Sequence, residues 1–421
     1  MGLPTNVLQT VQTYQRSELA YLTNLFAFIG TANKKFKDFE NLEANLGDTV
    51  TFDLPPRYTT TNSLVATFQD SQQRVQSLTV DKAVNTAYAF SAQQFVFNVR
   101  DYMERFGKSA VYEIGSQVEA DIASTIVDNT YRFYGDGVTA INSYGQLATA
   151  LSYFRNYGAA KDSVRGYLSD IAVPAIVNSG LSQFVPDRNE EIANSWQLGK
   201  FSNCDWYQSN FLPLHVSGTV GNGSTSTIQT LTVVSTNDPT GANITQITCT
   251  CDGTLSGSAD AIKANDVGYF VDQATASLNV RYLTFIGHKT SANSVQIRAT
   301  ADAGASGTTV VLSVSPALVA VANQNQNITS NIIAGMKIKM MPTHRAGLIV
   351  SGDALYLAMP RLPEEIPFPT ANESDVDSGV SMRMYYGSLF GQNQRGFVHD
   401  IIWGKTLVPE YSMRILFPAT V

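Results

Sequence analysis

Charge is scarce in this chain of 421 residues: Asp, Glu, Lys and Arg together make up 15% of it, against 44% apolar residues, and the balance is a net −7. A surface so poor in charge is unusual for a free monomer and points to extensive contact with other subunits. The negative balance argues against a protein whose main task is gripping nucleic acid phosphates, while leaving local contact open. Cysteine is scarcer still. Cys204, Cys249 and Cys251 are an odd number scattered over a large chain, so no disulfide framework holds it together. No window approaches the ~18 consecutive apolar residues of a membrane span. The opening stretch has neither a basic leader nor an apolar core, so the expectation is synthesis in a reducing cytoplasm and no contact with a membrane.

Catalytic signatures are missing as well. The chain contains no GxSxG elbow, HExxH helix, GxxxxGK[ST] phosphate loop or GxGxxG turn after a strand. His215, His288, His344 and His399 stand far apart, and none has a second ligand at metal spacing. Cys249 and Cys251 fall on one face of a strand, since side chains there repeat every two residues, and read as small hydrophobes in a β core. The acid pairs Glu190-Glu191 and Glu364-Glu365 are adjacent in sequence and read as solvated. The expectation is a structural protein rather than an enzyme, with no catalytic, cofactor or metal site.

What the sequence does contain is one long helical pattern. Val99, Met103, Phe106, Ala110, Ile114, Val118, Ile122 and Ile126 recur three or four residues apart and predict a helix over 99–131. At 1.5 Å per residue such a helix is roughly 50 Å long and needs a platform to lie on. Its charged residues, Asp101, Glu104, Lys108, Glu113, Glu119 and Asp121, are read as mostly turned away from that platform.

The flanking chain changes period several times. Residues 1–45 read as an N-terminal arm with one helix near 5–28 and a basic tether at Asn33 to Lys37, packed on a neighbouring domain or on another subunit. Residues 46–80 alternate as strands at either end of a polar, Thr- and Gln-rich tip, which predicts a long hairpin with little of its own to pack on. Residues 138–215 read as mixed α+β, with helices over 144–157 and 192–198. Residues 216–330 contain six Asp, no Glu and only four Lys plus Arg, with about six short strand patterns between turn signals, and predict an inserted β-barrel or sandwich. Residues 331–421 return to strands too few for a separate domain, which must complete sheets begun before the insertion.

Several stretches, in order along nearly the whole chain, resemble the major capsid proteins of tailed bacteriophages. They are Gly47 to Tyr58 (GDTVTFDLPPRY), Leu78 to Lys82, Asp101 to Phe106, Ile262 to Val267, Val314 to Leu318, Met382 to Tyr386 and Ile401 to Gly404. The closest resemblance is to the coat family typified by phage P-twenty-two, a branch of the Hong Kong ninety-seven capsid fold. That resemblance implies an α+β fold with a spine helix on a β-sheet, an axial domain, an extended loop and an inserted all-β barrel. Residues 46–80 become the extended loop lying on the adjacent subunit, 81–137 the peripheral domain with spine helix 99–131, 138–215 the first part of the axial domain, and 331–421 the return through both domains.

It also implies a virion protein, assembled in the host bacterial cytoplasm into an icosahedral shell of pentamers and hexamers, with expansion on maturation. Its implied partners are further copies of itself, a scaffolding protein, a portal protein and packaged double-stranded DNA at the inner face. Leu54, Arg57, Tyr58 and Arg74 in the loop are the candidate intersubunit contacts, the arginines seeking acids on a neighbour. Two other readings stand beside it. One is an encapsulin-type compartment, which shares the fold but generally lacks so large an insert. The other is a β-rich ligand-binding module presenting surface aromatics such as Tyr269 or Tyr282.

Overall fold

The computed structural model describes residues 26–33, 47–60, 64, 68, 73–91, 107–157, 163–178, 197–284, 287–363, 370–375, 380–389 and 394–419. They form two compact units, the first from residues 1–53, 75–123 and 355–407, the second from 54–74, 124–354 and 408–421. The chain thus crosses between the units repeatedly, and neither is a continuous stretch of sequence.

The first unit is built on a six-stranded sheet. Strands Thr49–Leu54, Arg74–Ser91, Gln394–Leu407, Val380–Leu389 and Thr370–Asp375 follow one another in that order, and Leu355–Ala358 also pairs with Gln394–Leu407. The strand Arg74–Ser91 does not stop at Val80, where the hairpin reading ended it. It continues antiparallel to Gln394–Leu407 from Val80↔Gly404 to Ser91↔Gln394. A side chain at Gly404 would run into the backbone of Thr79, so glycine is required where the two strands close up. The hairpin was expected to have little to pack on, yet Leu54, Leu78 and Val80 are buried. Next to one another, Arg383 and Asp400 face across the strands as a bidentate pair, with Arg383 Nε donating to Asp400 Oδ1 at 3.0 Å.

The long helix runs Lys108–Asn129 among the described residues, ending two residues short of the predicted Tyr131; positions 99–106 lie outside them. Ala110, Ile114, Val118, Ile122 and Ile126 form its buried stripe as the spacing requires. Trp403 Nε1 donates to Asp121 at 2.9 Å and Lys405 pairs with the same carboxylate, which fixes the helix to the strand Gln394–Leu407. Glu119 departs from the reading. It is buried, and its two oxygens accept from the backbone N–H groups of Phe28 (2.7 Å) and Ile29 (3.1 Å) at the start of a short helix, Ala27–Thr31. Phe26 meanwhile packs so closely on Gly115 that no Cβ fits there. Of the predicted arm helix only this end lies within the described residues.

The second unit contains a seven-stranded sheet and a closed barrel. In the sheet, Phe133–Tyr134, Ser412–Pro418, His344–Val350, Val164–Ser169, Cys204–Ser209 and Gln197–Phe201 follow in order, with Leu214–His215 also on His344–Val350. Residues read as helical over 192–198 are, where described, part of the strand Gln197–Phe201, drawn there by antiparallel pairing with Cys204–Ser209; 191–196 lie outside the described residues. The helix Tyr144–Asn156 is started by a form of capping box: the Ser143 hydroxyl accepts from Gln146 N–H, and Gln146 Oε1 accepts from Asn142 N–H at 2.9 Å. Its buried Leu147, Leu151 and Phe154 share a core with Val164, Trp206, Ile349 and Ile415.

The barrel closes through Val267–Val271, Gln296–Ala299, Thr309–Leu318, Ile244–Thr250, Thr230–Thr236 and Lys337–Met340, the last pairing back with the first. Its interior is the alternating set Leu231, Val233, Ile247, Cys249, Phe270, Ile297, Val310, Leu312, Ile338 and Met340. The closing strand, Lys337–Met340, comes from beyond residue 330, where the sequence reading began the return segment. Period-2 alternation marks a strand; which sheet the strand joins is decided by its partners.

Candidate functional site

The loop between Leu54 and Arg74 is the part of the chain singled out for contact with another molecule. Pro55 and Pro56 follow the strand Thr49–Leu54 and supply no N–H for a further ladder bond, so the chain leaves the sheet there. Leu54 is buried at that exit. Tyr58 is 57% exposed, Leu64 is wholly exposed and Phe68 is 97% exposed. Large apolar side chains this open cost free energy unless something covers them.

At the base of the loop the two arginines meet. Arg57, on the outgoing arm, forms an ion pair with Glu410 Oε1, and Arg74, on the returning arm, donates to the same oxygen at 2.8 Å. All three side chains are largely buried, at 14%, 24% and 18% exposure for Arg57, Arg74 and Glu410. The reading sought their acid on a neighbour; in this chain an acid of its own holds both. Glu410 lies in the single 3-10 turn Pro409–Tyr411 that leads into the strand Ser412–Pro418. Burial and then the Glu410 carboxylate push the Tyr411 phenol up, and burial followed by Arg57 pushes the His288 imidazole down, so His288 is neutral at pH 7. Nothing in the sequence distinguishes Glu410 from other acids between strands. It was missed because it is far from both arginines along the chain.

A second polar constellation lies where the barrel meets the seven-stranded sheet, inside the second unit. Asp266 is fully buried and accepts from His215 Nε2 (2.8 Å), Gly218 N–H (3.0 Å) and Lys263 N–H (2.9 Å). Arg298 donates to Asn265 Oδ1 at 2.7 Å and Arg414 to the Asn265 carbonyl at 3.2 Å. Burial, then Arg298, pull the Arg414 guanidinium down to about 9, which leaves it charged at neutral pH. Burial, then Arg414, push the His344 imidazole down to about 3, so it is neutral, with Nδ1 against the Pro342 carbonyl at 2.8 Å. Arg132 is caged by tyrosines, its guanidinium 4.3 Å from the ring centre of Tyr157 and 5.6 Å from those of Tyr131 and Tyr282. The Gln296 side-chain amide, from the barrel, accepts from Phe133 N–H and donates to the Phe133 carbonyl, as a strand neighbour would.

These groups hold structure together rather than face a substrate. Tyr282, named as a possible surface aromatic for a ligand, is buried in the arginine cage, and Tyr269 is half-buried against Phe133, because the sheet below the barrel occupies that side. Cys249 and Cys251 are both in the barrel core, and burial pushes the Cys204 and Cys249 thiols up to about 12, far from a reactive thiolate. Among the described residues no three His, Cys, Asp or Glu side chains are grouped so as to hold a metal ion. Among them, too, no helix is long and apolar enough to cross a membrane. Glu190, Glu191, Glu364 and Glu365 lie outside the described residues.

No family model matches the chain, and no curated protein matches it. Solved structures do. The "Capsid of Ralstonia phage GP4" is similar at 8% identity and a TM-score of 0.45, over 95% of this chain and 92% of that one. A structure titled "Mycobacterium phage Che8" is similar at 8% identity and a TM-score of 0.44, over 93% of this chain and 90% of the other. For the "Capsid structure of the Cyanophage P-SCSP1u" the identity is 9% and the TM-score 0.40, over 90% of this chain and 85% of that one.

Proposed function

We propose that the chain is the major capsid protein of a tailed bacteriophage, a shell subunit of the Hong Kong ninety-seven type that builds a closed icosahedral lattice around double-stranded DNA. The observation that carries the reading is the loop 54–74, tied down at its base and carrying exposed apolar side chains at Tyr58, Leu64 and Phe68. A free monomer gains nothing from that arrangement, whereas a neighbouring copy that receives the loop buries those side chains, with Leu54, Arg57, Tyr58 and Arg74 near the contact. Support comes also from the ordered phrases resembling that family, from a long helix fixed to a β-sheet by Asp121, and from an all-β barrel inserted in the chain. The low charge fits a surface repeated through many interfaces, each needing only modest energy.

In this proposal the helix and the six-stranded sheet are the peripheral domain, the sheet over the helix Tyr144–Asn156 belongs to the axial domain, and residues near 216–330 are the insert. Scaffolding protein, portal protein and packaged DNA are the proposed partners, pentamers and hexamers the proposed states, and the virion the proposed location. The chain carries no proposed catalytic role. The test is electron microscopy of the protein expressed alone and with a co-expressed scaffold candidate, backed by sedimentation. Closed shells or tubes of uniform wall are expected, and replacing residues 58–73 by a short Gly-Ser link should abolish them. Monodisperse monomers under both conditions would refute the reading.

A further inference from the structure

We propose that Glu410 is a positioning residue: by holding Arg57 and Arg74 together it fixes the two ends of the loop between them against each other before any partner is met. One carboxylate oxygen receives both guanidiniums, one from each arm, so the two ends of the loop are pinned to a single point. The point itself is rigid. Glu410 sits in a one-turn 3-10 segment whose flanking residues are anchored: Val408 N–H bonds to the Ala354 carbonyl at 2.8 Å, and Ser351 N–H to the Tyr411 carbonyl at 3.0 Å. The clamp is largely buried, which shields it from solvent more than an ordinary surface pair.

Without the carboxylate, two like charges would face each other at the loop base and the arms would spread. With it, the two ends of the loop that carries Leu64 and Phe68 are already closed when a partner docks, and that closure adds no further cost on docking. The purpose assigned to the clamp rests on the shell reading above; the clamp itself does not. An ionic base also makes the closure of the loop's two ends salt-sensitive in the dissociated chain.

Trypsin reads the clamp directly, because cleavage after Arg57 or Arg74 requires that guanidinium to leave Glu410 for the protease pocket. The experiment is limited trypsin digestion of the full, dissociated chain, with each bond's rate normalised to cleavage at the other Lys and Arg sites. In E410Q, cleavage at Arg57-Tyr58 and Arg74-Val75 should rise about tenfold relative to the other sites, as expected when a charged hydrogen bond that closes a local opening is lost. E410D, too short to reach both arginines, should give a smaller rise. Raising salt to about 1 M, where the screening length falls to roughly 3 Å, should move the wild type toward E410Q.

Unchanged relative rates in E410Q overturn the proposal, and so does a rise spread evenly over all sites, which reports a general loss of fold. If E410Q does not fold, E410D and the salt series on the wild type carry the test, and protection insensitive to both overturns it. Because the readout is taken on dissociated chains, protected bonds in a protein that forms no shells would leave the clamp standing and remove only its purpose.

Discussion

The wall of the barrel and its foot, where the barrel meets the seven-stranded sheet, are stabilised in opposite ways. The wall strands Thr230–Thr236, Ile244–Thr250 and Thr309–Leu318 contain no charged residue, and their inward side chains are apolar throughout. The foot buries Asp266, Arg414 and Arg132 and draws in Arg298, His215 and His344. In the wall each residue contributes area removed from water, and neighbours of similar volume are interchangeable. In the foot each charge is tolerated only because particular partners surround it, so a single deletion strands the others. The barrel is therefore forgiving along its length and exacting where it joins the sheet beneath.

The sharpest way to break that contrast is Asp266→Ala. It removes the acceptor of His215 and of two backbone N–H groups and takes away one of the two acids, Asp128 and Asp266, that favour the charge of Arg414. A loss of about 3–5 kcal/mol in urea unfolding is expected. A loss below that of a wall substitution would show that the foot is not exacting. In the wall, Ile247→Ala should cost about 3 kcal/mol, the transfer and cavity cost of a buried aliphatic residue, while Ile247→Val costs about 1 kcal/mol.

Acid separates the two regions without mutation. The folded His344 pKa of about 3 lies below its unfolded value of about 6.5, so the native state binds fewer protons. The stability this histidine lends as a neutral group is complete above about pH 6.5 and is lost progressively as pH falls from there toward 3. Between pH 6.5 and 5 the expected loss is about 2 kcal/mol, seen as a fall in the urea midpoint, and His344→Gln should flatten that slope. An unaltered slope in the variant would move the acid sensitivity elsewhere. The smallest effect is expected outside the wall: Val311→Thr, on the exposed face, should change stability by less than about 0.5 kcal/mol.

The same contrast explains what could be read in advance. Wall residues declare themselves through alternation: Cys249 with Cys251 could be placed on one face of a strand from spacing alone, and both lie in the barrel core. The apolar stripe of the long helix, Ala110 to Ile126, was equally legible. Glu119 and Glu410 were not. Both are ordinary carboxylates in sequence, one on a helix whose charges read as mostly turned away from its platform, the other between two strands. Their roles depend on Phe28 and Ile29 in one case and on Arg57 and Arg74 in the other, all distant along the chain. Arg57 and Arg74, named as seeking acids on a neighbour, did not reveal which acid of this chain they meet.

Sequence alone determined the local periods: an α-helical stripe, β alternation, the proline exit at Pro55-Pro56 and the change of composition at residue 216. These depend on neighbours within a few residues, where side-chain geometry and backbone sterics act directly. Tertiary structure alone decided which strand closes the barrel, which acid holds the loop and which charges are buried. A strand's partner and a carboxylate's counter-ion are fixed by the summed free energy of contacts between remote segments, and no local pattern encodes that sum.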